Sequence, residues 1–378
     1  MAGTRRILTI AIATLVLALG LAPGANARSP LSGNGMWIWY VSQSGGSAGA
    51  IARKAKNHNF HLVLIKSSDG GSAWSQFSSS LVHGLHDRGM RVCAWQFVYG
   101  NSPRAEALRG VDAIKKGADC LVIDAESSYE GRYAAADKFM DVLRQRAPGG
   151  AQIGFTSFPY VDYHLRLPYS VFMAKGGATL NVPQVYWHTI GDSPAASLGH
   201  TYRWNRPYHR PIYPLGQTYQ NPPADRLREF RRRAKGYGAN GISWWSWQET
   251  SAHEWRVIGH RLDGPFPDGG HSYPRLNRGD RGDVVVVAQE LLLAWGKKPG
   301  GVDGIFGDGT ARAVRQFQED HGIAASGEID HATWHALRER RPVRVNWSKR
   351  GNPAFAKRAK LEPKIAAALE VPSTPGRP

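Results

Sequence analysis

Asp124 and Glu126 stand two residues apart at the end of the run Cys120-Leu121-Val122-Ile123. In a strand, side chains at i and i+2 share a face, so both carboxylates rise together where the strand ends. Burying an unpaired charge is strongly unfavourable, and two acids in that place point to a chemical task. The plainer alternative is a helix cap and a surface acid at a strand-to-helix turn. Paired carboxylates in a cleft are the minimal equipment for glycoside hydrolysis. One of them must keep its proton near neutral pH to protonate the leaving oxygen, and burial beside a like charge raises a carboxyl pKa in that sense. Glu126, farther out and longer, is the expected general acid. Asp124 is expected to hold the proton network and orient the substrate.

The elements that must position this pair follow one rhythm. Strand-like runs at 36–41, 61–66, 91–98, 120–126, 152–157, 182–187, 212–219 and 241–247 alternate with helical patterns from 48 to 260. Such alternation implies parallel pairing through right-handed crossovers. Eight units over residues 28–261 are what an α/β fold of the (β/α)8 TIM-type barrel requires. A doubly wound open sheet is the alternative; it normally carries a Gly-rich turn after its first strand, where this chain has only Gly45-Gly46.

Barrel active sites lie at the C-terminal strand ends. The expected substrate-binding residues are therefore Lys66, Asp69, Gln96, Gln184, Tyr186, Gln217, Tyr219 and Trp247. Trp37, Trp39, Tyr40, Trp95, Tyr99 and Trp187 add aromatic surface at that level, on which sugar rings can stack while amides and hydroxyls bond their polar edges. In Trp244-Trp245-Ser246-Trp247, alternation sends one parity inward and the other against helices, so at least one Trp is structural.

Composition bounds the partners. The formal net charge of +18 suggests affinity for an anionic matrix. There is no basic helix with base-reading polar residues and no RNA-binding aromatic signature, so the phosphate-rich polymers of a cell wall are preferred to nucleic acid. Arg5-Arg6, the apolar run 7–22 and Ala25-Asn26-Ala27 read as a secretory signal over residues 1–27. No other apolar stretch is long enough to cross a bilayer. The expectation is an exported, monomeric wall protein with no stable membrane anchor, no metal and no cofactor. His331-x-x-x-His335 has helical metal-ligand spacing but no evident third ligand. Cys93 and Cys120 lack a nucleophile's His partner. A bridge between them requires both to face one side; with Gln96 read as inward, Cys93 points outward while Cys120 shares the parity of Asp124, which disfavours it.

Residues 262–273 carry turn chemistry and read as a linker. A small domain over 274–340 follows. Val284, Val287, Ala288, Leu291, Leu292 and Trp295 form a helical stripe. Thr310 is placed as the cap of a second helix bearing Ala313, Val314 and Phe317, and Asp330 as the cap of a third. Residues 341–378 read as a solvated basic tail.

Several of these motifs carry resemblances. Leu62-Val63-Leu64-Ile65-Lys66-Ser67-Ser68-Asp69-Gly70 and Val122-Ile123-Asp124-Ala125-Glu126 resemble the second- and fourth-strand motifs of the glycoside hydrolase family 25 lysozymes. Gln184-Val185-Tyr186 is similar to the sixth-strand motif of family 18 chitinase-type barrels. The resemblance implies a proton-donor role for Glu126 and an acetamido-assisting role for Asp124, with a glycan as substrate. It has one departure: the family 25 pattern has an Asp on the first strand, where this chain reads Met36-Trp37-Ile38-Trp39-Tyr40. Asp69, Asp162, Asp192 and Glu249 are the candidate substitutes. The small domain resembles the type 1 peptidoglycan-binding domain through Leu276, Gly279, Gly282, Val285, Gln289, Val302-Asp303-Gly304-Ile305-Phe306-Gly307, Thr310, Ala313-Val314, Phe317-Gln318, Gly322-Ile323, Gly327, Ile329-Asp330 and Thr333-Trp334. That implies peptidoglycan as partner and, for the whole chain, a lysozyme-like wall hydrolase.

Overall fold

The computed structural model describes residues 29–357; the expected export signal and the end of the basic tail lie outside them. Eight strands run parallel: β1 (Gly33–Ile38), β2 (Leu62–Asp69), β3 (Arg91–Val98), β4 (Cys120–Ala125), β5 (Ile153–Thr156), β6 (Leu180–Asn181), β7 (Leu215–Gln217) and β8 (Gly241–Trp245). Their order is β6-β5-β4-β3-β2-β1-β8-β7. Parallel bridges Asn181↔Ile212 and Gln184↔Leu215 join the two ends, so the sheet closes on itself and the open-sheet alternative falls. The sixth strand lies just before the expected run 182–187, which Pro183 interrupts and a helical turn from Trp187 ends, and the seventh is a short piece of the expected 212–219, begun after Pro214. Proline brings no N–H to a ladder. The helices α1 (Ala48–Asn57), α2 (Ser79–His86), α3 (Pro103–Lys115), α4 (Tyr133–Arg146), α5 (Pro194–Asn205), α6 (Ala224–Gly236) and α7 (Ala252–Gly259) cover the outside.

Strand alternation sorts side chains into two cores. Trp37, Leu62, Leu64, Cys93, Trp95, Cys120, Val122 and Leu215 fill the barrel interior. Met36, Ile38, Val63, Ile65, Val92, Ala94, Leu121 and Ile123 meet the helices. This parity corrects two expectations. Cys93 faces inward, directly opposite Cys120 in the β3–β4 register, and the two form a disulfide with Cα atoms 4.6 Å apart. Gln96 faces outward and is fully buried under α3, where Nε2 donates to the Glu106 carbonyl at 2.6 Å and to that of Gly70 at 3.4 Å. Cys93, Trp95 and Phe97 hold the inner parity of β3, which leaves Gln96 no route to a substrate. Gly110 of α3 makes its room: a Cβ there would stand 2.9 Å from Gln96 Oε1 and 2.6 Å from Leu121 Cδ2.

The small domain contributes α8 (Asp283–Ala294), α9 (Asp308–Asp320) and α10 (His331–Leu337). Asp330 caps α10 by accepting from Thr333 N at 2.9 Å. Thr310 does not cap α9, which already begins at Asp308; its buried hydroxyl donates to the Pro299 carbonyl instead. Gln289 donates to Asp303 and Thr310 and accepts from the amides of Asp303 and Gly304. Gln318 links Thr333 and Gly327 in the same way. Such residues set loop shape, so their presence in the motif reflects folding.

The amphipathic stripe expected for α8 understates its burial, because every residue from Asp283 to Leu292 is buried. Its first turn docks into the barrel's helical layer. Gly282, at φ 126, lies where a Cβ would come within 2.8 Å of Leu165 Cδ2. Asp283 accepts four bonds from barrel donors: Tyr133 Oη (2.7 Å), Ser170 N (2.7 Å), Ser170 Oγ (2.7 Å) and Tyr208 Oη (2.9 Å). Burial pushes its carboxyl up to about 6 against the opposing pull of those bonds. The segment after the small domain also departs from the expected solvated tail. Trp347 and Phe355 are buried against the Tyr133 ring. Asp137 of α4 accepts from Arg344 (2.7 Å) and from Ser348 N (3.0 Å).

Two outcomes follow for stability. Replacing both cysteines by alanine removes a cross-link between positions 27 apart and should cost about 3 kcal/mol, read in chemical denaturation. Asp283→Asn sets an amide against converging donors and should cost about 2–4 kcal/mol. The wild-type carboxyl has a folded pKa above its ordinary value of 3.8, so protonation favours the folded state. Wild-type stability relative to the variant should therefore rise as pH falls from 7 toward 4. A difference that stays flat or grows with pH contradicts the assignment.

Candidate active site

The inner parity of β4 runs Cys120, Val122, Asp124, and the last is 5% exposed. Glu126 follows at the rim, half-buried, where the short turn Ser127–Tyr129 begins. Gln184, beyond β6, bridges the two acids: its Nε2 donates to Asp124 Oδ1 and to Glu126 Oε1, each at 3.0 Å. Asp124 and Glu126 lie close enough for each to shift the other's titration. Around them stand Trp37, Trp39, Trp95, Phe97, Tyr186 and Trp245. The Trp95 ring lies 5.3–5.5 Å from the centroids of Trp37, Trp39 and Trp245. The floor between them is narrow, about 30 Å³, room for about two waters.

Lys66 enters from β2 and is 1% exposed. Its Nζ is 2.7 Å from Asp69 Oδ2 and lies over the rings of Trp39 (4.0 Å), Trp74 (4.7 Å) and Trp95 (4.7 Å). Aromatic faces and one carboxylate thus replace the ammonium's hydration. Burial still lowers its pKa, against the attraction of Asp69 and Asp124.

Both catalytic candidates hold protons more tightly than free carboxyls do. Burial raises Asp124 well above its ordinary value, the Glu126 charge adds to this, and Lys66 opposes it. Burial also raises Glu126, while the bond from Gln184 and the neighbouring Asp124 pull it down. Two close acids that resist ionisation share one proton over a range where an exposed carboxyl has lost it. His164, stacked on Phe158 at 3.7 Å with Nδ1 2.9 Å from Glu130 Oε1, adds a weaker electrostatic pull on Glu126.

Of the expected binding residues, Gln184 and Tyr186 line this cleft, Lys66 with its partner Asp69 packs against the lining Trp39 and Trp95, and Tyr219 stands edge-on to Tyr186 at 5.5 Å. Gln217 is buried and accepts from the amides of His188 and Thr189, so it shapes a loop. Gln96 lies in the helical layer. Trp247 is also displaced: β8 ends at Trp245, and the following turn sends Trp247 against Trp255 and under Lys54. Trp245 takes the wall position instead. The alternation of 243–245 could have found it, since Ser243 bonds Trp37 Nε1 from the same inner face. Trp187 stacks on Phe230 outside the barrel. Phe97 was missed because reading Gln96 as inward sends it outward, and Trp74 because it lies past the end of β2. Each acid proposed to replace the missing first-strand Asp is engaged: Asp69 by Lys66, Asp162 by His200, Asp192 by Tyr160 and Glu249 by Ser246.

Gln184→Leu removes a donor to the ionised form of both acids, so their pKa values should rise. Carboxyl ¹³C titration by NMR checks this, and an unchanged or lowered Glu126 contradicts it.

Comparison with known proteins concerns the two halves separately. Residues 281–337 match the family described as "Putative peptidoglycan binding domain". The SleB N-terminal domain is 36% identical over 18% of this chain and 90% of its own length, with a TM-score of 0.17. The Bacillus cereus spore cortex-lytic enzyme SleL is 13% identical, covering 60% of this chain and 73% of that one, with a TM-score of 0.45. A chitinase from Chromobacterium violaceum is 11% identical, covering 60% and 98%, with a TM-score of 0.44. The chain therefore carries, C-terminal to its barrel, a domain of the peptidoglycan-binding family over residues 281–337.

Proposed function

We propose that this protein is a wall glycosidase that hydrolyses β-1,4 bonds of the peptidoglycan strand, in the manner of a muramidase. The observation that carries the reading is the pair Asp124–Glu126, joined by Gln184 at the end of β4 and held above the ordinary carboxyl pKa. Glu126, at the rim, gives its proton to the glycosidic oxygen as the C1–O bond breaks and the acetamido oxygen closes on C1; water, giving its proton back to Glu126, then opens that ring and leaves a hydroxyl at C1. Asp124, below it, holds the proton network and orients the substrate's acetamido group. The narrow floor admits a small substituent, so the sugar ring lies across the mouth, against Tyr186 and Trp245. The C-terminal domain supplies the choice of peptidoglycan over another amino-sugar polymer such as chitin. Wall attachment raises the local concentration of scissile bonds.

A second reading, a catalytically silent glycan-binding barrel, is favoured by the first strand, which places Trp37 and Trp39 where the resembling lysozymes carry an acid. One experiment separates the two. Purified peptidoglycan is digested with wild type and with Glu126→Gln, and released fragments are reduced and weighed. Wild type should release disaccharide-peptides ending in reducible muramic acid, and the variant should lose at least about a hundredfold in rate. Reducible N-acetylglucosamine ends would move the cut to the other bond. No release by either protein, with both still sedimenting with the wall, would support the silent barrel.

A further inference from the structure

At the opposite end of the barrel, the chain entering β6 and the chain leading to Ile212 meet the segment that leaves the small domain. Between them lies a recess of about 530 Å³ lined by Lys175, Arg210, Arg341 and Arg344, with Thr179 and Tyr208. None of its lining residues is a carboxylate. Arg344 is neutralised by Asp137 and Asp141 behind it. The other cations have no such partner among the described residues. Arg210 is held by backbone alone, donating to the carbonyls of Met173 (2.6 Å) and Ala174 (2.9 Å). Arg341 donates to the His209 carbonyl at 2.8 Å. Lys175 is exposed at the mouth.

The surroundings register the accumulated charge. Burial and the charges of Arg338, Arg341 and Arg210 push His209 down to about 4. Burial and Arg341 push Arg210 down to about 10. Crowded cations that face an open recess are the arrangement an anion relieves. Guanidinium groups favour phosphate oxygens, and the carbonyl bonds pre-orient Arg210, which lowers the cost of binding. The volume lies in the range of ligand pockets rather than of a lone ion.

We propose that this recess binds the phosphate groups of a phosphodiester polymer, a contact separate from glycan cleavage and formed only where the barrel meets the segment that follows the small domain. The probe is a short poly(glycerol phosphate), titrated against the full mature chain at fixed ionic strength, with inorganic phosphate and polyglutamate alongside. Wild type should bind the polymer saturably, inorganic phosphate should displace it, and polyglutamate should bind at least tenfold more weakly.

Lys175→Ala with Arg341→Ala should weaken polymer binding at least tenfold. Arg226→Ala with Arg228→Ala, the same loss of charge on the exposed face of α6, should change it less than twofold. Equal losses in both double variants, or equal binding of polyglutamate, would overturn the proposal as non-specific attraction. Inorganic phosphate binding as tightly as the polymer would overturn the polymer assignment. Lys175→Ala alone, which breaks no hydrogen bond among the described residues, should weaken binding about threefold if the double variant does not fold, and an unchanged affinity there would overturn the site. Glu126→Gln should bind the polymer like wild type, so failure of this site and failure of the cleavage reading are distinguishable.

Discussion

The cost of taking two carboxyl groups out of water governs the top of this barrel. Asp124 is buried beside Glu126, and among the described residues neither finds a cation in direct contact. The structure offsets that cost in three ways: a proton retained by the pair, a neutral amide from Gln184 spanning both, and the Lys66 charge one layer away. Lys66 has its own desolvation cost, which Asp69 and three indole faces meet. Tryptophan serves here as both wall and counter-charge. Each neighbour is where it is because the acids, or the lysine that answers them, would otherwise be unpaired in a low-dielectric interior.

Closure of the sheet makes this arrangement rigid. Residues that meet at the cleft come from β1, β2, β3, β4, β8 and the loop after β6, so no two neighbouring units could assemble it alone. The disulfide sits on the inner face of β3 and β4, two steps below Asp124 on the same parity. It fixes the register of the strand that carries the acids against the strand that carries Trp95. Gln96, one residue further along, serves the opposite layer by fastening α3 to the sheet.

The small domain is not a freely tethered module in this structure. Asp283, at the start of α8, is satisfied by barrel donors, and Trp347 and Phe355 close over Tyr133 from the far side. A wall contact through the C-terminal domain therefore constrains the direction of the cleft as well as its distance from the polymer. The +18 charge gains a specific address in the same way, because the docked segment completes the cationic recess.

Eight alternating units, the Asp124–Glu126 pair and the glycine-punctuated C-terminal helices were legible in the sequence, because strand period, helix period and turn chemistry are local properties of the chain. Parity was the limit of that reading. Gln96 looked like a site residue because polar groups at barrel strand ends usually are, but the better inward candidates Cys93, Trp95 and Phe97 held the other phase, and that choice also decided the disulfide. Trp247 was misplaced because alternation was extended past the end of β8 into a turn. The bridging of both acids by Gln184, the indole box around Lys66 and the burial of Asp283 each join residues tens or hundreds of positions apart. Only the closed barrel and the docked domain bring those groups within hydrogen-bond or van der Waals reach, and no pattern along the chain records that distance.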